Sequence, residues 1–188
     1  MDEMLFIKNF PANVQIPESL IKLFRFQEAE NKNYSGHFFL YDRFWQQAPL
    51  FSPDVQSQLI FFGFDADGSI YSFWRYKDFP LEIAPIVFLA SEWAGNIIIA
   101  NSVEEFLGLL GLGIDELGYA VSQQGWETRI SNGSETINFR MWLKNELDIS
   151  IPQEPTKVVE KAINNHPDFN IWLQRKTGLP PEKKQKPF

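Results

Sequence analysis

Few side chains in this chain have the types that chemistry needs, and their spacing argues against most of it. The two histidines, His37 and His166, stand far apart, and neither sits in an HxH or HExxH pattern. A zinc site or a histidine general base needs such neighbours. His37 lies in a Phe-rich run and reads as structural; His166 precedes Pro167 and reads as a helix-end residue. There is no cysteine, which excludes disulfides, thiolate catalysis and Cys-ligated metals. Asp65-Ala66-Asp67-Gly68 resembles the opening of a calcium loop, but Tyr76 stands at the twelfth position, where such a loop needs Glu. A polar hairpin tip is the better reading. The glycines form no dinucleotide or P-loop pattern, and there is no GxSxG elbow. The paired Glu104 and Glu105 suit the start of a helix, where the dipole favours negative charge. Trp45, Trp74 and Trp93 invite a sugar-stacking reading, although core and rim packing is the better one, because large aromatics dominate core burial. The expectation is a non-enzyme with no catalytic residue, cofactor or metal.

The elements that would position any site are read from periodicity. Residues 1–16 look irregular. Pro17 suits the first turn of a helix carrying Leu20, Leu23 and Phe24. Residues 37–42 read as a strand and 42–58 as a loop holding Phe44 and Trp45. LIFFGF and SIYSFWRY flank an Asp-Gly pair, a strong hairpin cue. Pro85 removes a ladder donor, so the next strand is at an edge or begins at Ile86. NIIIA is a short apolar strand. Ser102-Val103-Glu104-Glu105 is a capping box, with Glu105 expected to reach back to the Ser102 amide. A short helix is expected around 115–121. Further helices are expected at 135–147 (capped by Ser134), 157–165 and 168–177, with 151–155 as a linker and a basic tail beyond 178.

The chain has 188 residues, 44% of them hydrophobic and 15% aromatic, enough for a well-filled core. Its net charge is −7, which argues against a nucleic-acid binder driven by phosphate neutralisation. The charge is uneven. Residues 1–128 carry 7 basic and 17 acidic side chains, and residues 129–188 carry 10 and 7. Residues 78–128 hold eight carboxylates and no Lys or Arg. Such a surface keeps a Phe-rich protein soluble and also steers basic partners. The start of the chain lacks a basic, then long apolar leader, and no apolar run is long enough for a bilayer span. A cytoplasmic protein is expected.

The run FFGFDADGSIYSFWR, followed by PIVFLASEWAGNIIIANSVEEFLGLL, resembles the SUKH superfamily, in particular its Smi/Knr-like group. Residues 61–74, 85–89 and 97–110 follow that group's order of hairpin, Pro-led strand, short strand and helix. Ala100, Ser102, Phe106 and Leu107 hold its last pattern, and residues 17–23 are similar to its N-terminal helix. The group's Asn-Gly after that helix is replaced by NYSG at 33–36. The resemblance implies an α+β fold: a mainly antiparallel twisted sheet with helices packed against it. Residues 1–150 would form this domain and 151–188 a helical extension packed on it. It further implies a protein-binding module of the bacterial immunity type, which neutralises a toxin, often a nuclease. The partner expected is thus a basic protein, with no direct nucleic-acid or membrane contact. Loop carboxylates Asp65, Asp67, Asp78, Glu82 and Glu92, with Trp93, are the expected contact residues. A glycan or small-ligand binder using an aromatic sheet face, and a regulatory scaffold, are the alternatives. The sequence leaves the oligomeric state open.

Overall fold

The computed structural model describes residues 3–30, 34–41, 52–91, 95–123 and 125–178. Five strands form one antiparallel sheet in sequential order: β1 (Phe39–Leu40), β2 (Leu59–Phe64), β3 (Ile70–Trp74), β4 (Ile86–Leu89) and β5 (Ile97–Ala100). Eight α-helices accompany it among the described residues: α1 (Glu3–Ile7), α2 (Glu18–Ala29), α3 (Pro53–Gln56), α4 (Val103–Leu110), α5 (Leu117–Ala120), α6 (Ser134–Leu147), α7 (Pro155–Asn165) and α8 (Phe169–Thr177). The fold is α+β, with helices packed on an antiparallel sheet. No described helix is long and apolar enough to cross a membrane.

The strands are apolar on both faces because both faces are covered. Side chains alternate along a strand. Ile60, Phe62, Tyr71, Phe73, Ile86, Phe88 and Ile99 therefore join one core with residues of α2, α4, α5 and α6. Leu59, Phe61, Ile70, Trp74, Val87, Leu89 and Ile98 join the other, with Val55 of α3, Ala162 of α7 and Phe169 and Leu173 of α8. The helices beyond residue 128 thus divide their work. Phe139 and Leu143 of α6 enter the first core, α8 closes the second face, and α7 joins both, with Val159 in the first core and Ala162 in the second.

Several expectations need correction. Residues 1–16 are not wholly irregular, because α1 forms there. Five residues do not hold a helix alone; Phe6 stacks on Phe24 at 4.7 Å and Glu3 pairs with Arg25 at 2.7 Å. Of the strand read over 37–42, Phe39 and Leu40 pair with β2 and the Tyr41 N–H donates to the Phe62 carbonyl at 3.0 Å; Asp42 lies outside the described residues. The loop before β2 contains α3, begun by Pro53 at its first turn. One expectation needs none: of the two alternatives read at Pro85, the second holds, and β4 starts at Ile86. Ser134 does not cap α6; it is the first residue of α6, behind Gly133. The linker ends a residue early, because Pro155 opens α7. Asp168 caps α8 as a side-chain acceptor for the Ile171 amide, and Gly178 ends that helix in the left-handed region.

Candidate functional site

The expected contact residues do not form one surface. Adjacent antiparallel strands alternate their turns between the two ends of a sheet. The β2–β3 tip, with Asp65 and Asp67, is at one end, and the β3–β4 connection, with Asp78 and Glu82, is at the other. The five residues of β3 separate them by about 15 Å at ~3.3 Å per residue. Glu92 and Trp93 lie outside the described residues, as do Phe44 and Trp45.

At the first end the carboxylates are already engaged. Asp65 is 1% exposed and lies in the interior, which removes it from any contact surface. Its Oδ2 accepts from the Tyr71 hydroxyl at 2.8 Å, and that hydroxyl accepts from the Gly118 N–H at 3.0 Å. Burial pushes the Asp65 carboxyl up to about 7 against the pull of the Tyr71 hydrogen bond, and the charges of Asp67 and Glu116 add to the rise. Asp67 is exposed but held. Its Oδ1 accepts from the Ser69 N–H at 2.9 Å, and its Oδ2 from the Ser69 and Ser91 hydroxyls at 2.8 and 3.2 Å. The Tyr119 hydroxyl lies 3.1 Å from Ser69 Oγ, and the Ser91 N–H donates to that same Oγ at 3.0 Å. Partial burial raises the Asp67 carboxyl, but these donors outweigh it and leave it below the ordinary carboxylate value.

At the second end Asp78 is paired and Glu82 is open. Arg75 pairs with Asp78 and donates through Nε to the Phe79 carbonyl at 3.1 Å. Glu82 sits in a 3-10 turn, Leu81–Ile83, beside α4. There the first turns of α2 and α4 and the end of α6 enclose a groove of about 460 Å³. Glu18, Glu82, Glu104, Glu146 and Asp148 line it, with Lys22 as its one cation. Lys22 is turned to the Glu146 carbonyl, 3.2 Å away, and Asp148 pairs with Lys144. The carboxylates of Glu82 and Glu104 have no partner among the described residues. Among the described residues no aromatic ring lines the groove.

The capping box explains why Glu104 is free. The Ser102 hydroxyl accepts from the Glu105 N–H at 3.3 Å, as expected. The Glu105 carboxylate reaches back one residue further than expected, to the N–H and side-chain amide of Asn101 at 2.9 and 2.8 Å. Capping therefore occupies Glu105 and leaves Glu104 to the groove.

The remaining candidates are structural. Trp74 is fully buried against Phe169 and Trp172, so it offers no stacking surface. His37 is exposed. His166 follows α7, with Nδ1 3.0 Å from the Tyr76 hydroxyl, and burial lowers its pKa. Glu18, Glu146 and Asp148 are site residues that sequence reasoning missed, and Glu104, read only as part of a helix start, is a fourth. They meet Glu82 only in three dimensions, and no local pattern marks them. No protein-family model, curated protein or solved structure matches this chain.

Proposed function

We propose that this protein is a non-enzymatic binding module that takes a basic protein partner on its acidic groove. On its resemblance to the SUKH superfamily, we further propose that the partner is a toxin which the protein neutralises, with a nuclease as the class that best fits the charge. The groove carries the reading: five acidic residues and one lysine line about 460 Å³, and of the five carboxylates only that of Asp148 is in an ion pair among the described residues. Nucleases present basic surfaces to their substrate, and a carboxylate-lined groove speeds their capture through long-range attraction. Of the tryptophans that invited the glycan reading, Trp74 is fully buried and offers no stacking face, and Trp45 and Trp93 lie outside the described residues.

The test uses the protein encoded beside this one whose reading frame is toxin-like. Co-expression should protect cells from that protein, and the purified pair should bind. The triple variant Glu18→Lys, Glu82→Lys, Glu104→Lys should weaken binding at least tenfold and abolish protection. A control variant, Asp115→Lys with Glu127→Lys, should keep both. Absence of protection by the unaltered chain rejects the immunity role. Unchanged binding by the triple variant rejects the groove.

A further inference from the structure

The chain contains one Asn-Gly pair, Asn132-Gly133, just ahead of α6. An asparagine side chain is an amide that the backbone nitrogen of the next residue can attack, closing a five-membered ring. Closure needs an unhindered nitrogen, an N–H free to lose its proton and a polarised side-chain carbonyl. Holding the two reacting groups in one chain makes the step intramolecular.

All three conditions meet here. Gly133 has no side chain to block the approach, and both residues are exposed. The Gly133 N–H belongs to no helix or strand ladder; it donates to the Ser131 hydroxyl at 3.3 Å, a long bond. The Asn132 Oδ1 accepts from Arg140 Nη1 at 3.0 Å. That guanidinium is itself fixed. Its Nε donates to the Gly111 carbonyl at 2.7 Å, and its Nη2 donates to the carbonyls of Leu112 and Ser131 at 3.2 and 2.5 Å. A cation already in place at Oδ1 makes the carbon more electrophilic and stabilises the negative charge that gathers on that oxygen during attack.

We propose that Asn132 is a self-modification site, deamidated through a cyclic imide with Arg140 promoting the attack. The Gly133 nitrogen gives its proton to a base from solvent and bonds to Asn132 Cγ, and the C=O electron pair moves onto Oδ1. Return of that pair expels the side-chain nitrogen, which takes a proton and leaves as ammonia. Water then opens the imide at either carbonyl, giving aspartate or iso-aspartate. One water is consumed, one ammonia is released and nothing is oxidised or reduced. The new carboxylate is formed beside Arg140, so a hydrogen bond becomes an ion pair. The iso form also adds one methylene to the main chain ahead of α6. Helix α6 has 14 residues and spans about 21 Å, and it is the far end that lines the groove, so the site stands apart from partner binding.

Peptide mass spectrometry of the folded, intact chain, incubated at pH 8 and 37 °C, tests this. Asn132 should gain one dalton at least tenfold faster than any other described asparagine, and iso-aspartate should form beside aspartate, as imide opening requires. Gly133→Ala should slow the gain at least tenfold. The backbone accepts that variant, because Gly133 has φ −62 and a Cβ there would lie no closer than 3.5 Å to its neighbours. Arg140→Gln should slow it at least threefold. If Arg140→Gln does not fold, the unaltered chain decides: it should deamidate at least threefold faster native than unfolded in urea, where Arg140 no longer sits at Oδ1. A rate at Asn132 no higher than at the other asparagines, or no iso-aspartate, overturns the site. A native rate at or below the unfolded one overturns the part given to Arg140.

Discussion

The two ends of the sheet use carboxylates in opposite ways. At the β2–β3 tip, Asp65 and Asp67 are spent on the protein itself, held by Tyr71, Ser69, Ser91 and Tyr119. At the β3–β4 end, Glu82 and Glu104 face a groove with no partner among the described residues. Both ends are acidic in sequence, so charge alone does not separate them. Engagement does: a carboxylate fixed by hydrogen bonds serves stability, and a free one beside a concavity is available to a second molecule.

The largest effect that sharpens this contrast is the response to pH at the tip. The folded value of Asp65, about 7, lies above its ordinary 3.8. Between those values the native state binds more protons than the unfolded chain, so stability falls as pH rises from about 4 to about 7 and is level above. The full span corresponds to at most about 4 kcal/mol. Asp65→Asn should match the unaltered chain near pH 3, gain on it as pH rises to about 7, and keep a constant lead at pH 8. Urea denaturation across that range reads the difference directly. A parallel pair of curves would mean that Asp65 is not the buried acid that sets the slope. Asp67 acts in the other direction. Its lowered value adds stability above 3.8 that is lost as pH falls through the folded value, so its window lies on the acid side of that of Asp65.

Next in size is a steric test at the same end. Gly118→Ala removes a helix-interior glycine, worth about 1 kcal/mol in favour of folding. Against this, the new Cβ would meet the Phe88 ring at 2.1 to 2.4 Å. Phe88 is fully buried between Tyr71 and Tyr119, with ring centroids 5.3 and 5.0 Å away, and has little room to yield. Overpacking of this kind costs about 1–3 kcal/mol and more where backbone must shift, so the steric term wins and a net loss of about 2 kcal/mol is expected. A gain in the denaturation midpoint would show that the tip is looser than the tip–α5 contacts require.

How much of this was legible beforehand follows from the range of the interactions. The hairpin was readable because Asp65 to Gly68 is a local turn signal between apolar runs. Ser102 capping was readable for the same reason, although the return contact of Glu105 went to Asn101. Helix α1 was not readable, since Phe6 is held by Phe24 rather than by its neighbours. Burial of Asp65 was hidden as well. An aspartate in an Asp-Ala-Asp-Gly turn looks solvated, yet the fold buries this one and sets the Tyr71 hydroxyl on its Oδ2. The groove was the least legible feature. Glu18, Glu82, Glu104, Glu146 and Asp148 come from four separate segments, and no window of sequence contains them together.

The smallest effect on stability is also the one that bears most on partner binding. Glu82 is exposed, lies in a 3-10 turn of three residues and takes no part in capping. Glu82→Lys should therefore change stability by no more than about 0.5 kcal/mol. Glu104→Lys should cost slightly more, about 0.3–1 kcal/mol, because Glu104 also sits in the first turn of α4. For a basic partner the ranking reverses. Replacing a free carboxylate with a cation should lower the association rate several-fold in dilute buffer. The difference should close at high ionic strength, where the screening length falls to about 3 Å near 1 M salt. Asp67→Asn at the far end should leave the association rate and its salt dependence unchanged. Association kinetics at two ionic strengths would thus separate the free end of the sheet from the engaged one. Equal effects from Glu82 and Asp67 would show that net charge, rather than the groove, draws the partner in.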